Sequence, residues 1–121
     1  MPLTKFNWRK KTAIFIGRFQ PFHQGHKILF KDALNKNEQV AILVMDSYNV
    51  NKKNPFKFEF VKKRIRLYLK KYESRYIIIK VPVVSEVIYG RKVGYKLRKV
   101  NVPKNIQKIS ATNIRKSFFR K

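Results

Sequence analysis

Three short runs of mostly apolar residues constrain the architecture of this chain more than any other feature. They cover residues 12–16, 40–45 and 76–81. Continuous apolar runs of this length are typical of strands buried on both faces of a parallel sheet, whereas a half-solvated strand alternates apolar and polar residues. Parallel strands need long crossover connections, which are usually helices. The runs therefore predict alternating strands and helices.

The two connections between these runs carry helical patterns. In the first, Gly25 opens a stretch in which apolar residues recur at helical spacing. In the second, Asn54 and Pro55 are expected to cap and begin a helix. Its core-facing stripe is predicted to comprise Phe58, Val61, Ile65, Tyr68 or Leu69, and Tyr72. The resulting order β-α-β-α-β predicts a three-layer α/β fold.

The remaining third of the chain extends this pattern. Residues 83–89 and 97–102 are expected to add two shorter strands, giving a mostly parallel sheet of about five strands. Residues 109–119 are expected to form a helix with Ser110 as its N-cap. The length of 121 residues suits a single domain over residues 1–121. Residues 1–10 are expected to pack on a sheet edge or to form a loose basic arm.

The chain is strongly basic, with 30 lysines and arginines against 6 acidic residues and a formal charge of +24. Such a field attracts nucleotides, nucleic acids and acidic lipids, so non-specific nucleic-acid binding is expected. A general bias towards lysine would produce the same excess. Because there is no cysteine, disulfides, thiolate catalysis and cysteine-based zinc sites are excluded. We expect a cytoplasmic protein without a membrane segment, since no apolar run approaches spanning length.

Both histidines of the chain, His23 and His26, lie where the first strand gives way to the first helix. In open α/β sheets, ligands bind at this edge, where a helix N-terminus presents N–H groups and a positive dipole end. Imidazoles there can donate hydrogen bonds to phosphate oxygens, and Gly17 allows close approach of the backbone. Two imidazoles at this spacing could instead share a metal. No cysteines or convergent carboxylates accompany them, so no dedicated metal site is expected.

Two motifs add a family resemblance. Residues 17–26, Gly-Arg-Phe-Gln-Pro-Phe-His-Gln-Gly-His, resemble the H-x-G-H motif of the nucleotidyltransferase superfamily. Their form is most similar to that of archaeal-type nicotinamide mononucleotide adenylyltransferases. Residues 109–115, Ile-Ser-Ala-Thr-Asn-Ile-Arg, match the second motif of the superfamily, I-S-x-T-x-I-R. The resemblance implies a Rossmann-like domain that transfers a nucleotidyl group from a nucleoside triphosphate and releases pyrophosphate.

The resemblance also implies roles for individual residues. His23 and His26 would stabilise charge on the triphosphate, and Arg115 would hold the leaving pyrophosphate. The nucleotide-binding set implied by the two motifs is Gly17, Arg18, Phe19, Gln20, Gly25, Ser110 and Thr112. Magnesium would arrive on the triphosphate and would need few protein ligands.

The acceptor side matches the family less well. Residues 54–56, Asn-Pro-Phe, are similar to a family sequence that precedes a Glu-Arg pair, but Phe60 and Val61 stand where that pair is expected. The candidate acceptor-binding residues are Asp46, Arg91 and Tyr95, although a basic hairpin turn explains the last two equally well.

The leading hypothesis is therefore adenylyl transfer from ATP to a small phosphorylated acceptor, with nicotinamide mononucleotide as the first candidate. Cytidylyl transfer on the same fold is one alternative. The others are a nucleotide- or nucleic-acid-binding module without turnover and a shortened, inactive domain that assembles with another protein.

Overall fold

The computed structural model describes residues 6–46, 54–90 and 94–100. Strand β1 (Thr12–Gly17) leads into helix α1 (Gln24–Lys36), which is followed by β2 (Gln39–Met45). Helix α2 (Phe58–Tyr68) and a short 3-10 helix (Lys70–Arg75) then lead into β3 (Tyr76–Val81). The three described strands are parallel and lie in the order β1-β2-β3. The predicted α/β architecture with a parallel sheet is confirmed.

One face of the sheet is covered by both helices. Val40, Ile42 and Val44 of β2 are at most 1 % exposed and belong to the same buried cluster as residues from both helices. The helical members of this cluster are Phe30, Leu34, Val61, Ile65 and Leu69. The predicted stripe of α2 is thus confirmed, and the packing holds both helices against the sheet at the edge where β1 ends.

The opposite face of the sheet is also apolar. The strand register aligns two rows across it, namely Ile14, Ala41 and Ile77, and Ile16, Leu43 and Ile79. The Ile14 side chain is 64 % exposed and Ile16 is 37 % exposed. Within residues 6–46, 54–90 and 94–100, no helix covers this face. These residues therefore form two of the three predicted layers.

The prediction of a strand over residues 83–89 is wrong. Pro82 follows β3 and has no N–H to continue the ladder, and Val87 and Ile88 are exposed. Near the start of this segment, the Val84 N–H donates to the Met45 sulfur at 3.3 Å. Residues 97–100 also form no strand. Residues 101–102 and the predicted helix over 109–119 lie outside the described residues.

Helix α2 begins later than predicted. Its N-cap is Lys57, which makes no capping bond through its side chain, whereas Asn54 and Pro55 precede the helix. The cause is the Gln20 side chain, which bonds both the N–H and the carbonyl of Phe56 at 2.9 Å. These bonds occupy backbone groups that a helical turn at this point would use.

The far end of α1 is fastened to the segment before β3. Arg75 donates from Nε to the Glu38 carbonyl at 3.1 Å and from Nη2 to the Leu34 and Asn37 carbonyls at 3.3 Å. A cation at this position satisfies carbonyls that the helix leaves unpaired and complements its dipole. Over the described ranges, no helix combines the length and apolar character needed to cross a bilayer.

Candidate active site

The turn between β1 and α1 has an unusual backbone that a buried ring holds in place. Phe19 has a φ of +52°, and the Gln20–Pro21 peptide is cis. A bulky residue in the left-handed region costs on the order of 1 kcal/mol or more and persists only where its surroundings impose it. The Phe19 ring supplies that constraint, since it is 2 % exposed and lies 5.2 Å from the Phe15 ring and 5.5 Å from Phe22.

Gly17 makes room for that ring. A Cβ at Gly17 would lie 2.8 Å from two atoms of the Phe19 side chain, closer than side chains ordinarily approach. The absence of a side chain at Gly17 thus serves the packing of the turn. Because the Phe19 ring points into the core, a contact of Phe19 with a nucleotide would have to come from its backbone.

The two histidines form a hydrogen-bonded pair at the start of α1. His23 is the N-cap, and its Nδ1 accepts the Gly25 N–H at 3.0 Å. His26 Nδ1 accepts the backbone N–H of His23, also at 3.0 Å, and the two ring centroids are 3.9 Å apart. Because Nδ1 accepts in both rings, the proton of each neutral imidazole is assigned to Nε2. The pair therefore offers two Nε2–H donors side by side.

The surroundings keep both imidazoles uncharged. Burial, with a smaller effect of the neighbouring His23, lowers the pKa of His26 from 6.5 to about 3. Burial and then the positive charge of Arg64 lower the pKa of His23. At neutral pH the pair is thus composed of neutral hydrogen-bond donors, each fixed in one tautomer. This arrangement suits a phosphate oxygen that must be bound without proton transfer.

Two side chains attach the turn to the second βα unit. Gln20 is 7 % exposed and bonds the backbone of Phe56 through both atoms of its amide. Arg64 of α2 donates from Nε to the Phe22 carbonyl at 2.6 Å. The Gln20 side chain thus points towards residues 54–56, and its predicted contact with a nucleotide stays a prediction. Arg64 was not among the predicted site residues.

Comparisons with known proteins agree with this geometry. A family model described as cytidylyltransferase-like matches residues 14–117. The chain belongs to the cytidylyltransferase-like family. The predicted resemblance to nucleotidyltransferases is thereby confirmed, and it extends over nearly the whole chain.

Individual members of the family are also similar to the chain. A probable nicotinate-nucleotide adenylyltransferase of Aliarcobacter butzleri is 34 % identical over 103 residues, which are 83 % of this chain and 53 % of that protein. A nicotinamide-nucleotide adenylyltransferase of Thermoplasma acidophilum is 41 % identical over 49 residues, or 40 % of this chain and 27 % of the relative. The chain thus spans about half of the first relative and about a quarter of the second.

A solved structure supports the fold. It is that of a bifunctional NMN adenylyltransferase/ADP ribose pyrophosphatase from Francisella tularensis, complexed with AMP and a manganese ion. The match has a TM-score of 0.56 and 35 % identity, and it covers 60 % of this chain and 23 % of that one. The fold of this family member is therefore Rossmann-like, as the motifs implied.

The other predicted site residues of this family member differ in their surroundings. Arg18 is exposed beside the turn, and Gly25 is buried with its N–H on His23. Asp46 ends β2, where its carboxylate lies 3.2 Å from Lys80 Nζ. Tyr95 is 50 % exposed. Arg91, Ser110, Thr112 and Arg115 lie outside the described residues, so their roles stay predictions.

No metal cluster is found in the described part of the chain, where no three histidine, cysteine or acidic side chains come together. A separate groove of about 400 Å³ lies along α2, away from the histidine pair. It is lined by Lys63, Arg66, Leu67, Lys70, Glu73 and Tyr76.

Sequence reasoning missed Arg64 because it is one of many basic residues in a lysine-rich helix. Its distinguishing feature is its helical position, one turn after the buried Val61 and one turn before the half-buried Tyr68. That placement sets it at the border of the buried stripe. Only the fold shows that this border faces the turn of the histidines.

Proposed function

We propose that the chain is a nucleotidyltransferase that moves the adenylyl group of ATP to a small phosphorylated acceptor. The observation that carries the proposal is the pair of neutral Nε2–H donors of His23 and His26 at the N-terminus of α1. The relatives are named for nicotinate and nicotinamide nucleotides, which makes the corresponding mononucleotides the first acceptors to test.

The reaction is a displacement at the α-phosphorus of ATP. A phosphate oxygen of the acceptor forms the new bond, and the bond to the oxygen that bridges the α- and β-phosphates breaks. Pyrophosphate leaves with that electron pair. The attacking phosphate is already anionic, so the reaction requires no general base, and catalysis consists of positioning and charge stabilisation.

The histidines serve this chemistry as donors. Negative charge shifts towards the leaving pyrophosphate and the oxygens around the reacting phosphorus, and a preorganised N–H donor stabilises it by an amount worth roughly 10²–10³ in rate. The α1 N-terminus adds its positive dipole end at the same place. Ser110, Thr112 and Arg115 are proposed to complete the phosphate contacts, as their motif implies.

Magnesium is proposed to enter as part of the substrate, Mg·ATP, and to neutralise charge on the phosphates. The described acidic side chains fit this role for the metal, because they form no cluster that would hold a resident ion. Asp46, at the carboxyl end of β2, is already paired with Lys80.

The proposal is tested by pyrophosphate release from ATP or CTP with magnesium. The acceptor panel contains nicotinamide mononucleotide, nicotinate mononucleotide and other small phosphate esters, and the full chain is used. We expect release that requires both ATP and one mononucleotide. If no pair reacts, the chain is not an active transferase.

The basic groove on α2 favours one competing function. Lys63, Arg66 and Lys70 line it together with the apolar Leu67, a combination that suits a polyanion. A chain that releases no pyrophosphate, yet binds single-stranded or duplex DNA with an affinity that falls steeply with salt, would be a nucleic-acid-binding module.

A further inference from the structure

Arg64 connects α2 to the turn that carries the histidines. Its Nε–H donates to the Phe22 carbonyl at 2.6 Å, and its Nη2 donates to the Tyr68 hydroxyl at 3.3 Å. The guanidinium carbon lies 5.3 Å from the centroid of the Tyr68 ring, whose own contact with the Phe22 ring is edge-on at 5.6 Å. The planar, rigid fork of an arginine suits this double attachment.

The carbonyl that Arg64 binds belongs to the peptide group that joins Phe22 to His23. The same planar group contains the His23 N–H, which donates to His26 Nδ1 at 3.0 Å. A continuous chain of hydrogen bonds therefore runs from the guanidinium through one peptide group to the imidazole of His26. Charge-assisted bonds are shorter and stronger than neutral ones, and bonds in a chain polarise one another.

We propose that Arg64 is a positioning residue that acts on His26 through the Phe22–His23 peptide group. Polarisation of that group strengthens the N–H donation to His26 Nδ1. The proton of the imidazole then stays on Nε2, where it faces the phosphate. This role rests on the proposed transferase function only for its effect on turnover, since the state of the imidazole is a property of the unliganded protein.

The charges around the pair are consistent with this role. From α1, the groups that face each imidazole are the two histidines themselves, and from α2 they are Arg64 and the hydroxyl of Tyr68. The positive charge of Arg64 also lowers the pKa of His23, after the larger effect of burial. Arg64 thus favours the neutral form of both rings.

Arg64→Met and Arg64→Lys test the proposal, with Arg66→Met as the matched control on an exposed position of the same helix. Nitrogen–proton correlation spectra of the imidazoles report which ring nitrogen carries the proton. In Arg64→Met we expect a mixture of tautomers at His26 and a higher pKa of His23. Arg64→Lys keeps the charge without the Nε–H, so the pKa of His23 should stay low while the tautomers still mix.

Turnover supplies the second readout. With saturating Mg·ATP, we expect kcat of Arg64→Met to fall roughly ten- to hundredfold, the scale of one charged hydrogen bond, with KM for ATP changed by less than about threefold. Wild-type imidazole spectra in Arg64→Met would overturn the proposal. If that variant does not fold, the spectra of Arg64→Lys decide. A wild-type chain without transferase activity would refute the proposed function and leave the spectroscopic test intact.

Discussion

The turn at residues 17–26 and the segment after β3 differ in almost every physical respect. In the turn, Phe19, Gln20, Phe22 and His23 are at most 8 % exposed, and their polar groups are paired within the chain. After β3, residues 82–90 are exposed throughout. The donor side of the proposed site is therefore built by the described residues themselves. The acceptor side must draw on other residues or on the substrate.

The largest contrast is expected in stability. Phe22 is fully buried, so Phe22→Ala should lower the free energy of unfolding by about 3–5 kcal/mol. Ile88, at 79 % exposure, is the control, and Ile88→Ala should change the value by less than about 0.5 kcal/mol. Urea unfolding measures both. Equal losses would show that residues 82–90 are packed in solution.

Activity should divide the two regions in the same way. We expect His26→Ala to lower kcat by roughly 10²-fold, since one Nε2–H donor is lost. Tyr95→Ala should leave kcat within about threefold and act, if at all, on KM for the acceptor, since a half-exposed ring offers at most one stacking contact. Pyrophosphate release under saturating ATP measures both. Full activity of a folded His26→Ala protein would refute the mechanism.

Acid should weaken the turn before it affects the segment after β3. The pKa of His26 is lowered in the folded protein to about 3, from an unfolded value near 6.5, so the unfolded chain binds the proton first. Stability from this residue is complete above pH 6.5 and should fall by about 2 kcal/mol at pH 5. The lowered pKa of His23 acts in the same direction. Urea unfolding of His26→Asn between pH 7 and 5 should show a flatter dependence, and an unchanged slope would contradict this account.

The smallest effect concerns the bonds between the turn and residues 54–56. Gln20→Ala leaves the N–H and carbonyl of Phe56 without this partner and should cost about 1–2 kcal/mol in thermal unfolding. The matched control is Gln24→Ala at an exposed position on the other side of the histidine. Equal effects of the two substitutions would mean that the Gln20 bonds contribute no stability.

Regular elements could be predicted from the sequence because each has a local signal. The apolar runs located all three strands to within one residue, and the stripe of α2 identified its buried face. Residues 83–89 misled the same reasoning, since β-branched residues indicate a strand whether or not a partner is available. The start of α2 was missed for another reason: a side chain 36 positions earlier occupies the backbone of Phe56.

The site was predictable to the extent that it follows a motif. His23 and His26 could be recognised by spacing and position, whereas the orientation of their rings depends on bonds that no motif states. Gly17 was expected to admit a nucleotide and is seen to admit the Phe19 ring. Arg64 has no local signal, because its role follows from a contact across 42 residues.

The attachment of the turn to downstream residues has a consequence for synthesis of the chain. Gln20 and Arg64 form their bonds over separations of 36 and 42 residues. When the histidines leave the ribosome, neither partner has yet been made, and the peptide group between Phe22 and His23 lacks its arginine. The nascent turn cannot acquire its final shape until α2 has emerged and packed. Competence for phosphate binding should therefore appear abruptly in a series of lengthening nascent chains, after Arg64 clears the exit tunnel.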